Sequence, residues 1–463
     1  MILGALLLLA QAVGPTGGAQ ALVGATLVDG RGGTPVPRAV VVVRGSVIEC
    51  AGADCKIPTG ATVTDAAGLW VAPGIIDAHV HFSQTGWADG RPDFSDVRDR
   101  FPYEKTEAEL AAHPERFFRA DLCSGVTSVF DVGGYPWTID MARREKDDPA
   151  APRVAAAGPL LSTIDFWLNL PAERQFLYLK DEAAARESVR YLAARGAAAV
   201  KVWYIVDDQH TVEASAPLVM AAGAEARRSG LPLIVHATGL DEAKVALKAG
   251  AKLLVHSVGD NDVDDEFLSL AKKNGAIYCP TLTVSDGYLR ALRAAASKSA
   301  PRVDDPNGCV DSMTLARVAA SATLAPPTPE RLARAEKGIA ESLALTSANL
   351  KRVADAGIPI AMGTDAGNPL TLHGPAVYAE MEAMQASGLT PMQVLTASTR
   401  GGSLAMGLED VTGTIEKGKS ADLVVLSADP TKDIANLRKI RFVMRAGVLR
   451  SIESLRASSA TAP

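Results

Sequence analysis

Histidine is scarce in this chain, with seven in 463 residues. Cysteine is scarcer still: there are five, none arranged as Cys-x-x-Cys, which argues against a cysteine-based zinc site. The net charge is −6, and no basic run or patch of interleaved basic and aromatic residues marks a nucleic-acid footprint. No stretch after the N-terminus is apolar for the roughly 20 residues a bilayer span requires. What remains is ordinary for a globular protein with a full core, 48% hydrophobic and 22% charged. The length allows two or three average domains, or one large barrel with an accessory domain.

Residues 1–13 (MILGALLLLAQAV) are apolar but too short to cross a membrane. Ala19-Gln20-Ala21 resembles a leader cleavage site, although no Lys or Arg precedes the apolar run. Residues 1–20 are therefore read as a signal peptide, with a periplasmic or secreted location expected, and a cytoplasmic one if the leader does not function. Cys50 and Cys55, close together in a Gly-containing connection, can close a small disulfide loop in an oxidising space. Cys123, in an expected helix, and Cys279, after an apolar strand, read as buried thiols.

From residue 21 short β-branched segments alternate with Gly and Pro turns, at 21–28, 39–49 and 61–65. The C-terminal part has the same character at 422–426 and 440–449. Neither end holds enough strands for a sandwich alone, so a composite β-sandwich from 21–70 and 405–455 is expected. Between them strand and helix alternate. Strands are expected at 74–79, 126–131, 154–157, 198–203, 232–236, 252–256, 276–280 and 358–363, with helices at 182–194, 218–228 and 241–249. That alternation predicts an α/β fold, a (β/α)8 TIM barrel over 71–404. Two connections exceed what a crossover needs: 83–120 reads as a cover over a site, and 285–335, with Pro301, Pro326, Pro327 and Pro329, as a helical lid.

In such a barrel the active site lies at the C-terminal strand ends. The first expected strand ends in His79-Val80-His81, whose alternate residues share one face and bring two imidazoles together. The fourth carries Lys201 within an apolar run; the fifth and sixth end in His236 and His256, and the eighth in Asp365. Each has a plain structural explanation: a hydrogen-bonded histidine, a snorkelling lysine, a helix-capping aspartate. Five such coincidences at matching positions point instead to a metal site.

These motifs resemble the metal-dependent amidohydrolase superfamily, in its imidazolonepropionase-like and prolidase-like (Xaa-Pro dipeptidase-type) branch. The resemblance rests on Pro-Gly-Ile-Ile-Asp-Ala-His79-Val-His81-Phe, Val-Lys201-Val-Trp, Val-His236-Ala, Val-His256-Ser and Gly-Thr-Asp365-Ala-Gly, and on the tail from Gly413 to Asp422. It implies two divalent metal ions, zinc by ligand type. His79, His81 and Asp365 would hold one, His236 and His256 the other, with Lys201 bridging both as a carbamate. It further implies hydrolysis of an amide or peptide-like C–N bond by a metal-bridging hydroxide, with Asp365 as general base and then acid.

One departure stands out: relatives with Glu-His-Gly at the sixth strand differ from Val255-His256-Ser257 here and are poor guides to specificity. Tyr204, His210 and His373 are candidate substrate contacts, while His113 reads as a surface or helix residue. A dipeptide or N-acyl amino acid is the expected substrate. A cyclic amide or imidazolone, or a lactone or phosphotriester, would use the same metals, and a non-catalytic binding protein is the contrasting class. The partner expected is a small molecule, not nucleic acid or a stable membrane span; a homo-oligomer is compatible with the sequence.

Overall fold

A computed structural model describes residues 18–165 and 175–457; most of the expected signal peptide, residues 1–17, lies outside the described residues. The chain begins with β1 (Ala19–Leu27), β2 (Val36–Arg44), β3 (Val47–Gly52), β4 (Thr62–Asp65) and β5 (Trp70–Pro73). A second group follows: β6 (Ile75–Val80), β7 (Val126–Asp131), β8 (Arg153–Ala156), β9 (Leu160–Ser162) and β10 (Phe176–Tyr178). It continues with β11 (Val200–Trp203), β12 (Leu233–His236), β13 (Leu253–Val255) and β14 (Ile277–Cys279). The chain closes with β15 (Leu423–Leu426), β16 (Ile440–Arg445) and β17 (Val448–Ser451).

The two chain ends share one sheet of eight strands, in the order β17-β16-β15-β5-β1-β2-β3 with β4 beside β1. The seam is β15 against β5, antiparallel, with Leu423 opposite Pro73 and Leu426 opposite Trp70. Apolar side chains from both ends, including Leu22, Val41, Ile48, Leu423 and Met444, bury one another there. Neither set of strands has that apolar cover without the other.

The middle of the chain forms parallel sheets, β6-β7-β8 and β10-β9-β11-β12-β13-β14. Their strands are short apolar runs buried on both faces, as helix-covered parallel strands must be. Helices lie between most of them: Glu182–Arg195, Val212–Arg228, Leu240–Ala249 and Asp265–Asn274. Their ends are written locally. Asp181 and Asp264 accept the first free backbone N–H groups, and Gly196 closes the first of these helices in the left-handed conformation at φ 79°.

The expected eighth strand is not a strand. Residue 360 makes only an isolated parallel bridge to Tyr278. The segment is nevertheless bonded on both sides. Tyr278 N donates to Pro359 O (2.9 Å) on the β14 side, and Ala78 N donates to Met362 O (3.0 Å) on the β6 side. Met362 N leaves the ladder for Ala397 O at 3.1 Å, and this interrupts the strand. On the other side, Ala198 N donates to Ala156 O (2.8 Å), just before β11. Strands β9 and β10 were not expected; three residues each are too few to show a period of two.

The 285–335 connection is helical, as Val284–Ser297, Ser312–Ala319 and the start of Pro329–Asp355. Two devices fix it. Buried Glu380 accepts hydrogen bonds from Leu282 N (2.8 Å), Thr283 N (2.9 Å) and Thr283 Oγ1 (2.9 Å) at its entry. Cys309, inside it, forms a disulfide with Cys123, 186 residues away. Cys123 is therefore not the free thiol expected, because a partner so distant leaves no local signal. Cys50 and Cys55 are bonded, and among the described residues Cys279 is free and buried.

On chain entropy alone, the long loop closed by Cys123–Cys309 contributes roughly 5 kcal/mol and the short loop of Cys50–Cys55 roughly 2 kcal/mol. Cys309→Ser should therefore lower the denaturant midpoint clearly more than Cys55→Ser. Equal shifts in equilibrium unfolding would show that the long disulfide does not constrain the unfolded chain.

Candidate active site

His79 and His81 stand two residues apart at the end of β6, so both rings point inward. Their Nε2 atoms are 3.2 Å apart. Asp365 Oδ1 lies 3.2 Å from His79 Nε2 and 2.9 Å from His81 Nε2, yet it has no hydrogen-bond partner of acceptable geometry. His81 Nδ1 is 2.6 Å from Gly133 O. A carbonyl can only accept, so the proton sits on Nδ1 and Nε2 presents its lone pair to the cluster.

His236 ends β12, and His256 follows β13. The two rings are 4.2 Å apart between centroids, and His256 is 5.0 Å from His79. Ligand atoms of His79, His256 and Asp365 all lie within 4.8 Å of one another, a group able to hold a metal ion. His256 and Asp365 both occupy the left-handed backbone region, at φ 74° and 63°. Non-glycine residues are held there only when their surroundings impose it, and such positions cluster at functional sites. Lys201, on β11, is 1% exposed and lines the same cavity as His81, His236, His256 and Asp365.

Burial sets the protonation states. It pushes His79 and His236 well below the ordinary imidazole range and His256 down to about 4, leaving neutral rings with lone pairs to donate. It lowers Lys201 to about 8, so more of its amine is uncharged near neutral pH than in a free lysine, although the ammonium form still predominates. Unpaired Asp365 Oδ1 and the neutral imidazoles, beside a lysine whose amine is easier to discharge than usual, are a donor set that fits divalent cations.

A buried carboxyl that sequence reasoning passed over holds the two ligand-bearing segments together. Asp77 Oδ1 accepts from His79 N (3.1 Å) and Thr364 N (3.0 Å), and Asp77 Oδ2 accepts from Thr364 Oγ1 (2.6 Å). Gly363 permits the approach: a Cβ there would sit 2.5 Å from Cys279 Sγ and 2.8 Å from His79 Cβ.

The cavity has a volume of about 1040 Å³ and opens beyond the C-terminal ends of β11–β14. Tyr204, His210 and His373 are not among its lining residues. The Tyr204 hydroxyl donates to Val212 O (3.1 Å), and His210 Nδ1 sits 2.9 Å from Asp207 Oδ1. His373 is stacked on Phe82 and lies 3.2 Å, through Nε2, from His81 O, so it supports the metal-side backbone from behind. His113 caps a surface helix, beside Glu115.

In their place the cavity is lined by Arg91 and Tyr288, one from each long connection, and by Asn368 and Trp203. Arg91 Nη1 and Tyr288 Oη (2.7 Å) both donate to Asn368 Oδ1, whose amide donates to Asp365 O (3.0 Å). Trp203 was legible in principle, two residues after Lys201 on the same strand face. Arg91 and Tyr288 had no local signal.

The amidohydrolase family model matches residues 70–450. The imidazolonepropionase of Streptomyces griseus subsp. griseus is 25% identical over 415 residues, 86% of this chain and 88% of that protein. Among solved structures, a Xaa-Pro dipeptidase with methionine bound in its active site superposes with a TM-score of 0.68 at 22% identity, covering 94% of this chain and 100% of that one. Molinate hydrolase superposes at 0.69 and 22% identity, covering 96% and 98%. These likenesses establish a TIM-barrel-like α/β fold. With the match spanning both ends of the cavity-bearing region, the chain belongs to the amidohydrolase family and is a hydrolase acting on carbon–nitrogen bonds.

Proposed function

We propose that the protein is a binuclear metal-dependent hydrolase that cleaves the amide bond of a small linear substrate, a dipeptide or N-acyl amino acid. The observation that carries this reading is the crowding of Asp365 Oδ1 and the Nε2 atoms of His79 and His81 to within 3.2 Å, with His81 and Asp365 lining a large cavity alongside Lys201 and neutral His236 and His256. His79, His81 and Asp365 would hold one ion and His236 and His256 the other, with the Lys201 carbamate between them. Bound there, divalent ions, zinc by ligand type, supply Lewis acidity that polarises a carbonyl and acidifies water.

The protein's own groups do the rest. The uncharged Lys201 amine adds carbon dioxide and releases a proton, becoming an anion suited to bridge two cations. Asp365 takes the proton of the attacking water on its carboxylate and delivers it to the departing nitrogen. Asn368 and the strained backbone keep that carboxylate aimed at the site.

A second reading, hydrolysis of a cyclic imidazolone, is favoured by the sequence relatives, since the imidazolonepropionase match runs over 86% of the chain. The size of the cavity favours the linear substrate. The hydrogen bonds on both sides of residues 358–365 support one closed (β/α)8 barrel over 71–404, with the shared sheet of 21–70 and 405–455 as a β-sandwich domain. Two disulfides support folding in an oxidising, periplasmic or secreted, setting. No helix among the described residues is long and apolar enough to cross a membrane.

Protein purified without chelator should carry about two zinc ions per chain, and Lys201→Ala should lower that number; one ion in both would remove the bridged site. Asp365→Asn should cut kcat for a hydrolysed amide by roughly 10²- to 10⁴-fold. A full rate with Asn at 365 would assign the proton transfer elsewhere. Asp77→Ala leaves two buried N–H groups without an acceptor and should cost about 2–4 kcal/mol in unfolding experiments, whereas Asp77→Asn, which keeps an acceptor oxygen, should cost less. Equal losses would show that the carboxyl is not positioning the two segments.

A further inference from the structure

The motif Val255-His256-Ser257, which departs from Glu-His-Gly, is bonded residue by residue to the segment that follows β14. His256 N donates to Cys279 O at 2.9 Å, and Ser257 Oγ donates to Pro280 O at 3.1 Å. His256 Nδ1 lies 2.7 Å from Thr281 Oγ1. Three consecutive residues, Cys279, Pro280 and Thr281, thus each supply one oxygen to the His256–Ser257 pair. A glycine at 257 would leave out the middle bond of the three.

Thr281 is buried, 4% exposed, and its backbone lies in the left-handed region at φ 45°. For a β-branched residue that conformation is a genuine outlier, and it persists only where the surroundings impose it. Here they do so from both sides. On one side Ser257 Oγ holds Pro280 O; on the other, buried Glu380 accepts from Leu282 N at 2.8 Å and Thr283 N at 2.9 Å. The clamped backbone sets the Thr281 hydroxyl against the His256 ring. The bond that roots the 285–335 connection therefore also fixes the neighbour of a metal-type ligand.

With Nδ1 taken by Thr281, Nε2 is the His256 nitrogen left for the group it forms with His79 and Asp365. A neutral imidazole that gives its Nε2 lone pair to a cation carries its proton on Nδ1, and a hydroxyl oxygen can accept that proton's hydrogen bond. The ring then cannot turn without losing the bond. We infer that Thr281 is a positioning residue of the metal centre: its hydroxyl accepts from His256 Nδ1 and keeps Nε2 aimed at the cation, and the Ser257–Glu380 clamp holds the hydroxyl in place. This rests on the metal-dependent reading above and adds to it a residue outside the ligand set.

The test measures zinc affinity of the full-length chain by competition with a chromophoric chelator, so that it does not depend on turnover. Thr281→Val keeps the shape of the side chain and removes the hydroxyl; it should weaken zinc binding roughly 10- to 100-fold. Thr281→Gly, for which φ 45° is unstrained, also lacks the hydroxyl and should weaken binding to a similar extent. Thr281→Ser restores the hydroxyl and should bind within a fewfold of wild type. Thermal melts of the metal-free proteins show which variants are folded, and a hydroxyl-free variant that does not fold leaves the other to decide. Wild-type affinity in Thr281→Val or Thr281→Gly overturns the inference, as does a Thr281→Ser protein as weak as Thr281→Val. A wild type that binds one zinc removes the bridged pair but not the inference, because His256 belongs to the three-residue group, and the Thr281→Val comparison then decides it on that ion. A wild type that binds no zinc ends the metal-dependent reading, and the role of Thr281 falls with it.

Discussion

The site depends on one buried carboxyl. Asp77 lies below His79 on the same strand face and accepts hydrogen bonds from both segments that carry metal-type ligands, β6 and the stretch before Asp365. Burial pushes its pKa up to about 7, opposed by those same hydrogen bonds. An acid with three donors converging on it cannot move without uncovering them, so the two segments are held at one spacing. The segment carrying Asp365 needs this more than the others because it has no regular strand of its own.

Around that fixed floor the walls come from elsewhere. The 285–335 connection is tied at its entry by Glu380 and in its middle by the disulfide to Cys123. The 83–120 connection contributes Arg91, which meets Tyr288 at Asn368. The metal-type side chains thus sit on strands or just past their ends, and Arg91 and Tyr288 of the cavity lining come from connections that can vary without disturbing them.

His79, His81, Lys201, His236, His256 and Asp365 were legible in the sequence as one candidate set, because each ends or occupies a short apolar run. Strand ends of parallel α/β folds converge, so their one-dimensional positions carried three-dimensional meaning. Tyr204, His210 and His373 show where that logic stops. They follow strand ends too, but Tyr204 turns its hydroxyl to Val212, and His373 packs behind His81. Only the local backbone path decides whether such a side chain faces in or out. The positive φ of His256 and Asp365, which aims one imidazole and one carboxylate, is equally silent in sequence.

By itself the sequence determined the alternation of strand and helix, the shared β character of the two ends, and the residue types for metal-assisted hydrolysis. Those are local properties: hydrophobic period, capping residues and short motifs are complete within a few positions of the chain. Tertiary structure decided the rest. It paired Cys123 with Cys309 across 186 residues, reduced the expected eighth strand to a bonded edge, and set Arg91 and Tyr288 against Asn368. Each of these joins groups far apart in the chain, and only the packing of the whole domain fixes which distant groups meet.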